Sequence, residues 1–275
     1  MMGQLRAVKP TIENFYKNLI EPLDADIYIL MQKTYTDIDN DLELFNKNVI
    51  EKELYDPPEN IKDQFKTINE LTKEISNTNN YLMDANLQLY YNMYLINEKF
   101  GETLEKNYEY IIVARSDFLY LLPFPDIINL VDSKEKIWTF DGHDWGGING
   151  TFFCIPSMYI KTFLSCCYNN LQNSDNVHRF NDLELNPEKF LKLIFDDNNW
   201  KIGKIQNNAF LTAESENEIT TWSKVIYDEK HKVHYKYKEQ LDSAYESLSQ
   251  YQTGYKWTYT HNDDFDRIVL TQTTS

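Results

Sequence analysis

Cysteine is nearly absent from this sequence: Cys154, Cys166 and Cys167 are the three present in 275 residues. Two adjacent thiols and a distant third exclude a disulfide framework, and no Cys-x-x-Cys spacing suggests zinc. They read as buried thiols in a reducing compartment. Long apolar runs are missing too, since none approaches the ~20 residues that cross a bilayer. Gln4 and Arg6 follow soon after Met1, where a signal peptide would place its apolar core. A soluble, cytoplasmic protein with no membrane span is expected.

Basic charge is also short. Lys and Arg number 27 against 43 Asp and Glu, a formal net charge of −16 at pH 7. Nucleic acid is excluded as a polymeric partner, because binding it needs a basic stripe that this chain lacks. A diphosphate ligand remains open, but a divalent cation or a few well-placed arginines must first overcome the background repulsion. Glycine and proline are sparse, with 8 of each. No linker rich in either divides the chain, and no repeat of about 20 to 50 residues appears. The reading is one domain with a C-terminal extension.

Against these absences stand 20 tyrosines and an alternation of strand-like and helix-like segments. The spacing predicts a helix over 10–19, a buried strand over 25–31 and, after the break at Pro57-Pro58, an amphipathic helix over 60–76. A longer helix is expected over 82–106. The run 110–114 (YIIVA) is continuously apolar, the mark of a central strand buried on both faces. Short strands are expected at 137–140 and 151–155, and a helix at 158–169. Another helix starts at Asn186, with Asn as N-cap and Pro187 at the first helical position. A strand-like piece at 222–227, a polar helix at 238–249 and an aromatic stretch at 255–259 complete the chain. The alternation indicates an α/β fold with a mostly parallel central sheet flanked by helices. In such sheets ligands bind beyond the carboxyl ends of the strands.

Three segments carry chemistry. Arg115-Ser116-Asp117 ends the 110–114 run, placing opposite charges at a sheet rim. Asp117 could ligate a divalent metal and Arg115 could grip phosphate bidentately; a solvated ion pair is the plainer reading. The second segment, 141–150 (DGHDWGGING), gathers glycines together with Asp141, His143, Asp144, Trp145 and Asn149. Glycine serves where the backbone takes positive φ or a ligand comes close. The polar and aromatic groups suit a sugar, although a long hairpin connection would look similar. The third, 181–188 (NDLELNPE), is acidic at a helix start. Its carboxylates read as dipole-compensating caps, or Glu184 or Glu188 serves as a general base toward an acceptor hydroxyl.

Taken in order, several of these features resemble the GT-A-type glycosyltransferases of large DNA (algal) viruses and some bacteria. They are Gly3-Gln4-Leu5-Arg6, the segment 24–28 (DADIY), the segment 110–117 (YIIVARSD), the segment 146–153 (GGINGTFF) with Pro156-Ser157, and the helix at Asn186-Pro187-Glu188. The resemblance covers about 3–213 and makes 1–213 the catalytic domain, a single Rossmann-like unit; 214–275 would be an extension packing on the same domain. It implies a UDP-type nucleotide-sugar donor, hexosyl or pentosyl, and an oligosaccharide or glycoprotein acceptor. Gly3, Gln4, Arg6, Arg115, Asp117, Gly147 and Asn149 would bind the donor. Asp117 would hold Mn2+ or Mg2+ in the place of an Asp-x-Asp motif whose first position is here Arg115. Asp144, Glu184 or Glu188 would act as base in an inverting reaction, in the host cytoplasm for a viral protein. The alternative is a non-catalytic carbohydrate-binding module on the same fold. A nucleotidyltransferase would want two or three clustered carboxylates.

Overall fold

The computed structural model describes residues 2–3, 7–33, 38–71, 80–131, 134–181, 183–218, 224–261 and 266–272. The strands in chain order begin with β1 (Met2–Gly3), β2 (Ile27–Gln32), β3 (Val49–Tyr55), β4 (Tyr110–Val113), β5 (Phe118–Tyr120), β6 (Lys136–Phe140) and β7 (Phe153–Pro156). Then come β8 (Lys201–Ile205), β9 (Ala209–Ala213), β10 (Ile226–Asp228), β11 (Val233–Tyr235), β12 (Tyr255–His261) and β13 (Asp266–Gln272). They form three sheets, ordered β1-β2-β3, β10-β11-β9-β5 and β12-β13-β8-β6-β7-β4.

The expected mostly parallel sheet is corrected to a mixed one. Only β13–β8 and β8–β6 pair in parallel within the largest sheet, while β12–β13, β6–β7 and β7–β4 are antiparallel. Parallel neighbours need a crossover, usually a helix, and the segment between β6 and β7 is a loop. The antiparallel sheet β10-β11-β9-β5 stands beside it. β4 is likewise displaced from its expected central position. It lies at the end of its sheet, and its four residues are half-buried.

Side chains alternate between two apolar layers, as the period of two along a strand requires. Tyr28, Leu30, Ile137, Phe153 and Ile155 face the layer built by helices Asp84–Asn107, Ile160–Leu171 and Pro187–Asp197. Ile27, Ile29, Trp138, Phe140 and Cys154 face the other, where Phe15 and Leu19 pack from the first helix. That helix, Val8–Phe15, runs on through a π-helical turn, Tyr16–Ile20. All three cysteines are buried. No helix among the described residues is long and apolar enough to cross a membrane.

The C-terminal part is built into this framework. β13 sits inside the largest sheet between β12 and β8, and β11 pairs with β9. Helix Lys238–Gln252 then covers β9, with Leu241 and Ala244 packed on Phe210.

Candidate functional site

The turn from β4 to β5 carries Arg115, Ser116 and Asp117, and neighbouring elements pin it. Thr212 of β9 donates to the Asp117 carbonyl through its N–H (2.8 Å) and its hydroxyl (2.9 Å). The Thr11 hydroxyl, in the first helix, donates to the Ser116 carbonyl at 2.8 Å. With the backbone fixed, Arg115 donates to both oxygens of Asp117, Nε to Oδ1 and Nη2 to Oδ2, each at 2.8 Å. Lys236, just past β11, adds a third donation to Oδ2 at 3.0 Å. The same Nζ lies 2.8 Å from Oε1 of Glu218.

The pair is lopsided. The Asp117 side chain is 2% exposed while that of Arg115 is 39% exposed. Burial alone would push the Asp117 carboxyl up, but Arg115 and then Lys236 outweigh it and hold Asp117 well below the usual carboxylate range. Burial likewise works against the guanidinium charge, and the adjoining carboxylate overcomes it, so Arg115 stays above its ordinary value. Both groups are charged at any physiological pH. Beside them stands Tyr237, raised first by burial, in the field of Arg115, Asp117, Glu188 and Glu218 together.

Across from the turn lies the loop 141–152. Gly142, His143, Trp145 and Gly146 all take positive φ, at 89°, 56°, 44° and 83°. For His143 and Trp145 such a backbone costs on the order of 1–3 kcal/mol each, so the surroundings must impose it. They do so from several sides. Asp144 Oδ1 accepts from Lys204 Nζ at 2.6 Å and from the Asn149 N–H at 3.0 Å. The Asn149 side chain donates to the Gly142 carbonyl at 3.0 Å and accepts from the N–H and hydroxyl of Thr151. Asn186, the helix N-cap, donates to the Trp145 carbonyl at 2.9 Å, and the Ile148 N–H donates to the Glu188 carbonyl at 3.0 Å. Gly147 makes this docking possible, since a Cβ there would lie 2.0 Å from the Glu188 carbonyl carbon.

The held loop presents Trp145, 66% exposed, and His143 at the mouth of a cleft of about 390 Å³ completed by Asn207, Glu239 and Ser243. The His143 ring lies 6.1 Å from that of Tyr237, which joins the loop to the charged turn. Burial lowers the His143 pKa, against the opposing pull of Glu239 and Asp144. Glu188 is half-buried at the start of helix Pro187–Asp197. Burial first, and the charge of Asp144 after it, raise its pKa above the ordinary value, although a backbone hydrogen bond works the other way.

Of the residues singled out from sequence, Arg115 and Asp117 are paired directly, and Glu188 acts with them electrostatically on Tyr237. Asp144, Asn149 and Gly147 lie in the facing loop, where their hydrogen bonds and close packing shape its backbone. Glu184 is exposed at φ 47°, and among the described residues no ion pair or hydrogen bond ties it to the cluster. Gly3 lies in β1, while Gln4 and Arg6 fall outside the described residues. The following residue, Ala7, donates its N–H to Glu214 Oε1 at 3.4 Å. Sequence reasoning missed Lys236, Glu218 and Tyr237. A lysine after a three-residue strand carries no local signal; the fold brings it to Asp117 across 119 positions.

The donor set at Asp117 does not fit a divalent cation. Both oxygens already accept from cationic nitrogens within 3.0 Å, and among the described residues no three His, Cys, Asp or Glu side chains group as metal ligands. The groups that the structure does show around Asp117 are organic cations, and the raised carboxyl of Glu188 acts with them on Tyr237.

The fold is similar to that of a mouse enzyme, xyloside xylosyltransferase 1 in its apo form. The similarity spans 80% of this chain and 87% of that one, at 10% identity and a TM-score of 0.40. No protein-family model matches the sequence, and no curated protein matches it.

Proposed function

We propose that the chain is a glycosyltransferase of GT-A-like architecture. It takes a hexosyl or pentosyl group from a UDP-type donor and passes it, with inversion, to a hydroxyl of an oligosaccharide or glycoprotein acceptor. The observation that supports this reading is the lopsided pair: a buried carboxylate whose two bonds hold a partly exposed guanidinium, with the raised carboxyl of Glu188 sharing its field at Tyr237.

The donor diphosphate lies against Arg115. When the glycosidic bond breaks, its electron pair stays on the diphosphate oxygen. A cation fixed there stabilises that developing charge more than it stabilises the bound donor. Lys236 becomes a second counter-charge when the diphosphate takes the place of Glu218. On the other side the acceptor hydroxyl attacks the anomeric carbon, and its proton passes to Glu188. Trp145 offers a ring face on which the acceptor sugar stacks. Arg115 and Lys236 carry the charge stabilisation that Mn2+ or Mg2+ was expected to supply.

A thermal-shift series of nucleotide-sugars in the presence of a chelator tests this, since a ligand that binds only the folded state raises Tm. UDP or a UDP-sugar should raise Tm without divalent cation, and Arg115→Ala should abolish the shift. Glu218→Gln should tighten nucleotide binding severalfold by freeing Lys236. No shift with any nucleotide in the wild-type chain would overturn the proposal.

A further inference from the structure

The cleft below Trp145 has a wall of one-sided charge. Asp141, Asp144 and Glu239 line it, and among the described residues no lysine or arginine does. The cations that meet two of these carboxylates stand outside the lining. Lys204 of β8, 8% exposed, holds Asp144, and Arg267 of β13 lies 3.7 Å from Asp141. Glu239 is exposed in the first turn of helix Lys238–Gln252. Among the described residues its carboxylate makes no hydrogen bond or ion pair. His143 does not neutralise the wall, because burial disfavours its charged ring although Glu239 and Asp144 pull the other way.

The same wall is well supplied for hydroxyl groups. Each carboxylate only accepts hydrogen bonds, and its two oxygens suit two neighbouring sugar hydroxyls. Ser243 also lines the cleft, four residues after Glu239 and so on the same helix face. Its hydroxyl both donates and accepts. A ligand carboxylate or sulfate meets the reverse: like charges, no cation to pair with, and weaker screening than in bulk water. Two links tie the cleft to the transfer site. The charge of Asp144 helps to raise Glu188, and the His143 ring lies beside that of Tyr237. An anionic diphosphate is repelled from such a wall, so the cleft belongs to the acceptor.

Resting on the transferase reading above, we propose that the cleft selects an acceptor sugar free of acidic groups and that Glu239 sets this selection. Uronic, sialic and sulfated sugars are turned away, while neutral sugars are held through their hydroxyls with a ring face on Trp145.

The test is binding of the full chain to an array of matched oligosaccharide pairs. One set ends in glucose or glucuronate, the other in galactose or 6-sulfated galactose. The neutral member of a pair should bind about tenfold tighter or more. Glu239→Gln should shrink that preference about fivefold, and about 0.5 M NaCl should shrink it in the wild-type chain. Trp145→Ala should weaken both members of a pair alike, which places the binding in this cleft. Equal binding of acidic and neutral members would overturn the proposal. So would a preference that Glu239→Gln leaves unchanged, or an array on which nothing binds. Nucleotide-induced shifts in Tm, read on the same preparation, separate the two readings. Selection of neutral glycans without any nucleotide shift would sink the transferase and leave the selectivity of the cleft standing. Nucleotide shifts together with equal binding of acidic glycans would sink the selectivity alone.

Discussion

The charged turn at 115–117 and the glycine loop facing it hold their side chains by opposite means. In the turn the backbone is relaxed and the tension is electrostatic: Asp117 and Lys236 tolerate near-complete burial only because opposite charges meet them, while Arg115 remains partly exposed. In the loop the tension lies in the backbone, with His143 and Trp145 forced to positive φ, while Trp145 itself stands in water. The first region places charge at a fixed point. The second shapes a surface. A deletion in the turn should therefore appear mainly as lost stability, and a deletion at the loop tip mainly as altered ligand contact.

The sharpest way to break this contrast is Asp117→Ala. It strips the shared counter-charge from Arg115 and from Lys236, whose side chain is 5% exposed. Breaking a buried pair in this way costs about 3–5 kcal/mol, read as a lowered urea midpoint. The pH dependence follows from the depressed pKa of Asp117. Its stabilisation is complete above the unfolded value of about 3.9 and is lost as pH falls through the lower folded value. In Asp117→Asn that part of the acid-side loss should vanish.

Next in size is Glu188→Gln. It should lower kcat about 100-fold or more while leaving the urea midpoint within the range of a surface change. Because burial raises the Glu188 pKa, wild-type activity should climb with pH through a value above the ordinary ~4.3 of glutamate, and the variant should lose that limb. A flat wild-type profile on the acid side would remove Glu188 from the role of base.

Gly147→Ala comes third. The added Cβ meets the Glu188 backbone, so either the loop or the helix start must move. The expected cost is about 1–3 kcal/mol, with a raised KM for acceptor as the cleft loses its shape. The mildest change is Trp145→Ala, with stability within about 0.5 kcal/mol of wild type and a raised acceptor KM at unchanged donor affinity. A large loss of stability there would erase the distinction between the two regions.

Much of the framework was legible in the residues. The helix over 82–106 is found at Asp84–Asn107, and Asn186 does cap its helix, accepting from the Lys189 N–H at 2.8 Å. The buried strand over 25–31 is β2. β3, β5, β8, β9, β11 and β13 were missed: charged or mixed residues obscure β3, β8 and β13, and the short β5, β9 and β11 are fixed by their neighbours rather than by local pattern. The predominance of parallel pairing failed because strand direction is set by connections: the loop after β6 is the long hairpin connection that its sequence also fitted, and it returns the chain antiparallel beside β6. At the site, Arg115 and Asp117 could be read from an apolar run ending in charge. Lys236 and Glu218 could not, since they meet Asp117 only after distant segments have folded together.

The position of β13 carries a consequence for how the protein forms. Gly203 of β8 pairs with Asp266 of β13, so an inner strand of the largest sheet waits for a partner synthesised far later. While residues 266–272 are still within the ribosome, the flank of β8 is left open to other chains. Completion of the sheet thus waits until residues 266–272 have emerged, and a nascent chain stalled before that point should depend on chaperones.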